Sequence, residues 1–398
     1  VASVARDTAL TSGRVAGGRP CSRVRWRRNG RVTSPPSSYA EALRGSLGPT
    51  VYETLYGPYA RKLWGLDGTR IDPEQARVRV SADTVPKVAW RVLRSTLAAR
   101  SSTAPHGTTF LYPRHGFGQI TDALERAARQ AGAELHTGVE VERLSPGQTR
   151  PGRAGEPADG VVAHTSDGGR WRAPRVFSTL PIPVLTRLCP GQVPDDVVQA
   201  ARGLRFRAMV LVYLTHEPGQ ATGGSPVRWT AYDAHYLPAG ATPVTRISEP
   251  ANYRDNAQDP QARSVLCAEI PCAAGDQLWR ASEQELADVV MAALRESDLP
   301  PVLGPDGTAP AVQVRRLPAV YPIYEHGFAA RLAHLEDWAD ALPGVTTLGR
   351  SGLFTHDNTH HALVMGRAAV AALGADGAFD EQAWRRSRDS FRDHVVED

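Results

Sequence analysis

The run Thr347-Leu-Gly-Arg-Ser-Gly-Leu-Phe354, followed by Asn358-Thr-His-His-Ala-Leu-Val-Met-Gly366, has the residue types and spacing best suited to chemistry. A short strand feeds a turn in which Gly349 and Gly352 let the backbone come close to a ligand. A helix then opens at Asn358 and carries small residues, Ala362, Gly366, Ala368 and Ala369, along its length. The unpaired N–H groups and positive dipole end of such a helix suit an anionic or electron-rich group. A glycine turn leading into a buried helix of any α/β fold fits the same spacing equally well. On the ligand reading, Gly352 faces the ligand, whereas Gly366 serves helix packing.

Other side chains extend the list of candidates. Arg246, inside Thr245-Arg-Ile-Ser-Glu249, sits on an expected sheet and suits a carboxylate or phosphate; a salt bridge to Glu249 or Glu269 is the competing reading. Tyr321 and Tyr324 suit the wall of a substrate cavity or aromatic core packing. Trp64, Trp90, Trp229 and Trp279 read as core. His356, His360 and His361 cluster in sequence, but His360 and His361 are adjacent and point to different helix faces. With no acidic partner set beside them, no metal is expected. His115 reads as a loop residue. No Ser-His-Asp or Cys-His pattern stands out, so the chemistry would fall to a cofactor.

The chain has 398 residues and a net charge of +4, which rests on arginine, because Lys62 and Lys87 are the only lysines among 46 basic residues. The densest basic run, Arg23, Arg25, Arg27, Arg28 and Arg31, comes with no recognition motif, so nucleic acid is not an expected partner. Cys21, Cys189, Cys267 and Cys272 form no metal or disulfide pattern, which fits a reducing compartment. The longest apolar run, Met209–Leu214, is too short to span a bilayer. These features together describe a cytoplasmic soluble protein acting on a small molecule, of open oligomeric state.

The elements that must position these residues alternate in type. Ser37 or Ser38 caps a helix from Tyr39, and further helices cover Thr50–Trp64 and Val85–Ala98. Around residue 110 a strand (Phe110–Tyr112), a helix (Gln119–Ala131) and a strand (Glu134–Leu144) form a β-turn-α-turn-β unit. Strands follow at Gly160–Thr165, Arg170–Ala173 and Arg175–Leu180. From Leu204 to Ile270 the pattern is antiparallel β, with strands at Ala208–Thr215, Val227–Ala231, Val244–Ser248 and Ser264–Ile270. Ser282 and Glu285 form a capping box, and helices span Phe328–Asp340 and Asn358–Leu373 around a strand at Thr346–Leu348.

Several of these pieces, in this order, resemble the protoporphyrinogen-oxidase-like and amine-oxidase-like FAD oxidoreductases, with UDP-galactopyranose mutase as a more distant cousin. Tyr59-Ala-Arg-Lys-Leu-Trp-Gly65 resembles the family's Y-x-x-K-x-W-G helix end, and Tyr112-Pro-Arg-His-Gly-Phe-Gly118 its Y-P-x-G-G turn. Val139–Leu144 resembles the strand that meets the adenine, Arg175–Pro181 the V-I-S-T-L-P segment, and Tyr321-Pro-Ile-Tyr324 the A-Y-P-x-Y segment. The resemblance spans residues 35–375 and implies FAD as cofactor. Position by position, it implies that Val141 meets the adenine through its backbone. It also implies that Gly349, Arg350, Gly352, Leu353 and Phe354 line the flavin side, and that Asn358, His360, His361, Ala362 and Leu363 open the helix beneath the isoalloxazine. Relatives often carry an acidic residue where this chain has His360.

The implied fold is mixed α/β (α+β): an FAD/NAD(P)-binding-like domain, incomplete at its N-terminus, interleaved with a substrate domain of antiparallel sheet and helices. Residues 1–34 are unassigned. Residues 35–104 are the helical part of the substrate domain, 105–203 part of the FAD-binding domain, 204–322 the substrate sheet and helix, 323–375 the C-terminal part of the FAD-binding domain, and 376–398 a helical tail. The G-x-G-x-x-G unit with which such families hold the FAD pyrophosphate is absent from the sequence. Truncation of a longer gene and loss of the unit both fit. The implied activity is oxidation of a C–N or C–C bond by hydride transfer to flavin. A non-redox, flavin-dependent nucleotide-sugar mutase and a flavin-free binding remnant are the alternatives.

Overall fold

The computed structural model describes residues 35–79, 111–147, 160–191, 193–218, 227–253, 256 and 258–396, with strand pieces between 27 and 32 and between 149 and 157. The expected helix Val85–Ala98, Cys21 and the side chains of the basic run lie outside the described residues. Residues 1–36 and 37–398 are two units; in the first, Arg27–Arg28 pairs antiparallel with Arg31–Val32.

Local chemistry sets most helix limits. In α1 (Tyr39–Leu47) the Ser38 side chain accepts from the Glu41 N–H, a cap worth about 1 kcal/mol. Tyr52–Tyr56 forms a π-helical turn that runs into α2 (Gly57–Trp64), followed by α3 (Glu74–Arg79). Helix α4 (Gly118–Gln130) buries no residue. Next come β1 (Val141–Ser145), β2 (Val161–Thr165) and β3 (Arg170–Ala173), an antiparallel sheet with β2 in the middle. Strand β4 (Val176–Ser178) leads to α5 (Ile182–Leu188) and α6 (Asp195–Arg202).

The large sheet is antiparallel and five-stranded, in the order β6 (Ala234–Tyr236), β7 (Arg246–Ser248), β8 (Ser264–Cys272), β5 (Phe206–His216), β9 (Val312–Pro322). Helix α7 (Glu283–Glu296) begins with the Ser282/Glu285 capping box and packs Leu286, Val290 and Leu294 onto Val210, Val212, Ile247, Leu266 and Ile270 in one apolar core. Because strand side chains alternate, the residues between these, Arg246 and Glu269 among them, face away from that core.

A second core joins α5, α6 and α8 (Phe328–Asp340) to β10 (Val345–Thr347) through Ile182, Leu185, Leu335, Trp338 and Val345. Strand β10 runs parallel to β4, and this pair is the parallel sheet among the described residues. One helical turn, Gly349–Gly352, then leads to α9 (Thr359–Ala371) and α10 (Glu381–Phe391), which close a third core around Leu353, Met365 and Trp384. The mixed α/β class and the incompleteness of the dinucleotide-binding unit both hold.

Several expected elements do not form. Phe110 lies outside the described residues, Leu111 and Tyr112 are irregular, and of Glu134–Leu144 only the last residues join a strand, antiparallel to β2, so among the described residues the β-turn-α-turn-β unit is not built. Residues 134–138 are exposed and pair with no strand among the described residues. Val227–Ala231 is not a strand, because the Trp229 and Thr230 N–H groups donate to the buried Glu249 carboxylate. Strand β9 escapes the sequence pattern because Pro318 interrupts it, where a register shift between Leu317 and Tyr321 absorbs the irregularity.

Candidate functional site

Side chains from the helices, the large sheet and the β10–α9 connection line one cavity of about 640 Å3. The helical wall carries Tyr39, Tyr56, Tyr59, Leu63, Trp64 and Arg79. Two devices fix α2 in place. The Lys62 ammonium donates to the carbonyls of Leu237 and Ala239, and burial lowers its pKa to about 8. Gly65 ends the helix at φ +68°, where a Cβ would sit 2.9 Å from an Arg207 nitrogen. That Arg207 guanidinium donates to the carbonyls of Lys62, Leu63 and Pro271. The Tyr59–Gly65 segment is thus a fastening of helix to sheet that presents Tyr59 and Trp64 to the cavity.

The sheet wall is a cross-strand row. Register aligns Tyr236 with Arg246 and Arg246 with Glu269, so the three stand side by side on the face opposite Ile247. Arg246 pairs with Glu269 through Nε at 3.0 Å and through Nη2, and lies 5.8 Å from the Tyr236 ring centroid. Burial opposes its charge, yet the Glu269 carboxylate outweighs that and holds its pKa above the ordinary range.

Tyr321 sits just past the irregularity in β9, opposite Arg207, and receives two guanidiniums. Arg79 lies 5.1 Å and Arg350 4.9 Å from its ring centroid. Arg350 extends from the turn that β10 delivers: Leu348 N–H bonds the Ser178 carbonyl, Gly349 turns at φ +79°, and Thr355 N–H closes onto the Arg350 carbonyl. Its Nε and Nη2 are buried and have no hydrogen-bond partner. Burial lowers its pKa and Arg79 adds to this, against the opposing influence of Tyr321 and Asp357. Behind this layer His356 is buried, in contact with Trp64 and Tyr324 and 3.1 Å from Gln75 Nε2. Burial, with Arg79 and Arg350, holds it well below the usual imidazole range, so it is neutral.

Of the residues singled out in the sequence, Arg246, Tyr321, Arg350 and Asn358 meet at this cavity. Tyr324 does not. It stacks on Phe328 at 4.0 Å and donates its hydroxyl to the Phe354 carbonyl, as core. Leu353 and Phe354 are buried in two cores, Phe354 at a left-handed φ of +53°. A Cβ on Gly352 would lie 2.9 Å from the Ser178 carbonyl oxygen, so close backbone packing requires that glycine. Nothing lies within 4 Å of a Cβ on Gly366, so helix packing does not require that one. His361 is buried, its Nδ1 accepting the Asn358 N–H at the start of α9, while His360, Ala362 and Leu363 are exposed. Val141 opens β1, an edge strand with its outer side unpaired among the described residues. Tyr59 stands out in the sequence only as the start of the Y-x-x-K-x-W-G helix end, and Tyr56 and Arg79 not at all; Arg79 shows no local signal, since its role arises only where α3 meets β9.

Residues 86–373 match the family described as flavin containing amine oxidoreductase, and the chain belongs to that family. FAD is the cofactor this membership brings. Two solved structures share the architecture. Reduced UDP-galactopyranose mutase is 16% identical with a TM-score of 0.67, over 92% of this chain and 73% of that one. A protein from Exiguobacterium sp. 255-15, provisionally described as a protoporphyrinogen oxidase, is 18% identical with a TM-score of 0.52, over 80% of this chain and 63% of that one. No curated protein matches the sequence. The unpartnered Arg350 nitrogens, the Gly349 turn and the start of α9 form one polar corner. The pyrophosphate cradle is not in this sequence. Among the described residues no helix is long and apolar enough to cross a membrane.

Proposed function

We propose that this polypeptide supplies the substrate cavity and the flavin-facing surface of an FAD-dependent oxidoreductase whose substrate carries an anionic group. The observation that carries this reading is the Arg350 guanidinium, buried at the cavity with two nitrogens unpartnered. Buried guanidinium donors left without acceptors cost free energy, and a carboxylate or phosphate satisfies them in a bidentate pair. The tyrosines and Trp64 offer flat apolar faces for the substrate body, and Asn358 adds an amide at the α9 terminus. A bound flavin supplies the hydride acceptor for a C–N or C–C bond. A protonated amine is disfavoured beside Arg79 and Arg350, since Glu269 is already engaged by Arg246.

The mutase alternative gains from the same wall. A diphosphate needs several converging arginines, and Arg79, Arg246 and Arg350 all line the cavity. The residues assigned to flavin and substrate, and the division into FAD-binding and substrate parts, stand as part of this proposal. The buried, unpaired Cys189, Cys267 and Cys272 support a cytoplasmic setting. Calorimetric titration with UDP, a carboxylated tetrapyrrole and putrescine tests the reading. At least one anion should bind, with affinity lost in Arg350→Met. Binding of putrescine alone would sink it, and binding of UDP alone would favour the mutase.

A further inference from the structure

A second polar constellation stands at the start of α9, on a separate cavity of about 380 Å3 that Asp357 and His394 help to line. The Asp357 side chain is 0% exposed. Its Oδ2 accepts from the Thr355 hydroxyl, while Oδ1 faces His394 Nδ1 at 2.8 Å and His361 Nδ1 at 3.2 Å. The two imidazoles stack with centroids 4.1 Å apart, and one ligand atom from each of the three residues lies within 4.8 Å of the others. Among the described residues no arginine or lysine forms an ion pair with Asp357, so within them this buried anion finds its cation in the imidazoles or in a bound ion.

Protons alone do not satisfy the geometry. His361 Nδ1 accepts the Asn358 N–H at 3.1 Å, so it turns a lone pair, not a proton, toward its surroundings. That lone pair then stands 3.2 Å from a carboxylate oxygen, acceptor against acceptor. A shared cation removes this repulsion. The geometry points to Asp357, His361 and His394 as a binding site for one divalent cation of the zinc class, with its fourth position open to the cavity. Ligand bonds of about 2.0–2.2 Å to two imidazoles and a carboxylate set donor separations of about 3–3.5 Å, close to the two spacings at Asp357 Oδ1, and loading turns the stacked rings so that each lone pair meets the ion in its ring plane. Two nitrogens and one oxygen select a borderline ion over magnesium or calcium. The positive end of α9 opposes a cation there, and the Asp357 charge offsets it. Loading takes the lone pair from the Asn358 N–H, so metal and helix cap compete for His361. The sequence expectation of no metal considered His356, His360 and His361; the third ligand comes instead from His394, beyond α10.

The test is titration of the chelator-treated full chain with Co2+ alone. One equivalent should bind with visible ligand-field bands of a tetrahedral N/O site, and Zn2+ should displace it. His394→Gln, at a partly exposed position near the C-terminus, should weaken binding about tenfold or more, as should Asp357→Asn. His360→Gln, on the neighbouring exposed ring, should leave it unchanged. Should Asp357→Asn fail to fold, His394→Gln decides alone. Absence of stoichiometric Co2+ binding, or equal affinity in His394→Gln and wild type, overturns the proposal and leaves a hydrogen-bonded cluster.

Discussion

Arg79 and Arg350 share one aromatic ring: each guanidinium carbon lies about 5 Å from the Tyr321 centroid, although the arginines come from opposite parts of the chain. Two like charges held by one ring are tolerable where the π-face attracts both and an anion completes the set. Without an anion, the unpartnered Arg350 nitrogens are a standing cost.

Arg350→Met should therefore stabilise the ligand-free protein while removing a binding function. The expected gain is about 1–3 kcal/mol, the desolvation penalty of buried donors left unpaired. Added pyrophosphate should raise the melting temperature of the wild type and leave that of the variant unmoved. A variant less stable than the wild type, with the same response to pyrophosphate, contradicts the assignment of Arg350 as an anion donor.

His356 predicts an acid-side loss of stability. Burial, with Arg79 and Arg350, depresses its folded-state pKa, whereas the unfolded chain takes up a proton near pH 6.5. Above that pH both states are neutral and His356 contributes no pH dependence. Below it the unfolded state binds more protons, and stability falls with a slope approaching about 1.4 kcal/mol per pH unit. Urea unfolding from pH 7 to 5 should show a shallower decline in His356→Gln than in the wild type. Parallel declines would mean that other groups carry the effect.

The two glycines of the α9 region should respond oppositely to side chains. Gly352→Val forces a branched side chain against the Ser178 carbonyl and should destabilise the fold by several kcal/mol with or without cofactor. Gly366→Ala meets open space inside a helix and should stabilise by about 0.5–1 kcal/mol. Thermal melts of both variants check the pair. A stable Gly352→Val would place that Cβ elsewhere than against β4.

Purified with excess FAD, this polypeptide should retain well under one flavin per chain. The Arg350 corner and α9 are present, but the backbone cradle for the pyrophosphate is not in the sequence. Flavin absorbance against protein concentration gives the answer, and a stoichiometric yellow protein would refute it.

Much of this was legible in the residues because the cause is local. Ser38, the Ser282/Glu285 box and the apolar spacing of Phe328–Asp340 each act within a few residues, and each helix began where they indicated. Sequence order also revealed that Arg350 and Asn358 belong to one connection. The cavity itself was not legible. Its row of Tyr236, Arg246 and Glu269 depends on strand register, and Arg79 reaches Tyr321 only once α3 and β9 are packed. Gly352 illustrates a further limit: a glycine required by a neighbouring carbonyl looks the same in sequence as one required by a ligand.

The Lys62 contact has a consequence for chemical probing. In a chain with two lysines, one of them outside the described residues, amine-directed reagents meet almost no background. Held against the carbonyls of Leu237 and Ala239, the Lys62 amine meets such a reagent once it leaves them. Its acylation rate is a clock for the lifting of α2 off the sheet, and hence for the opening of the cavity beneath Tyr59 and Trp64.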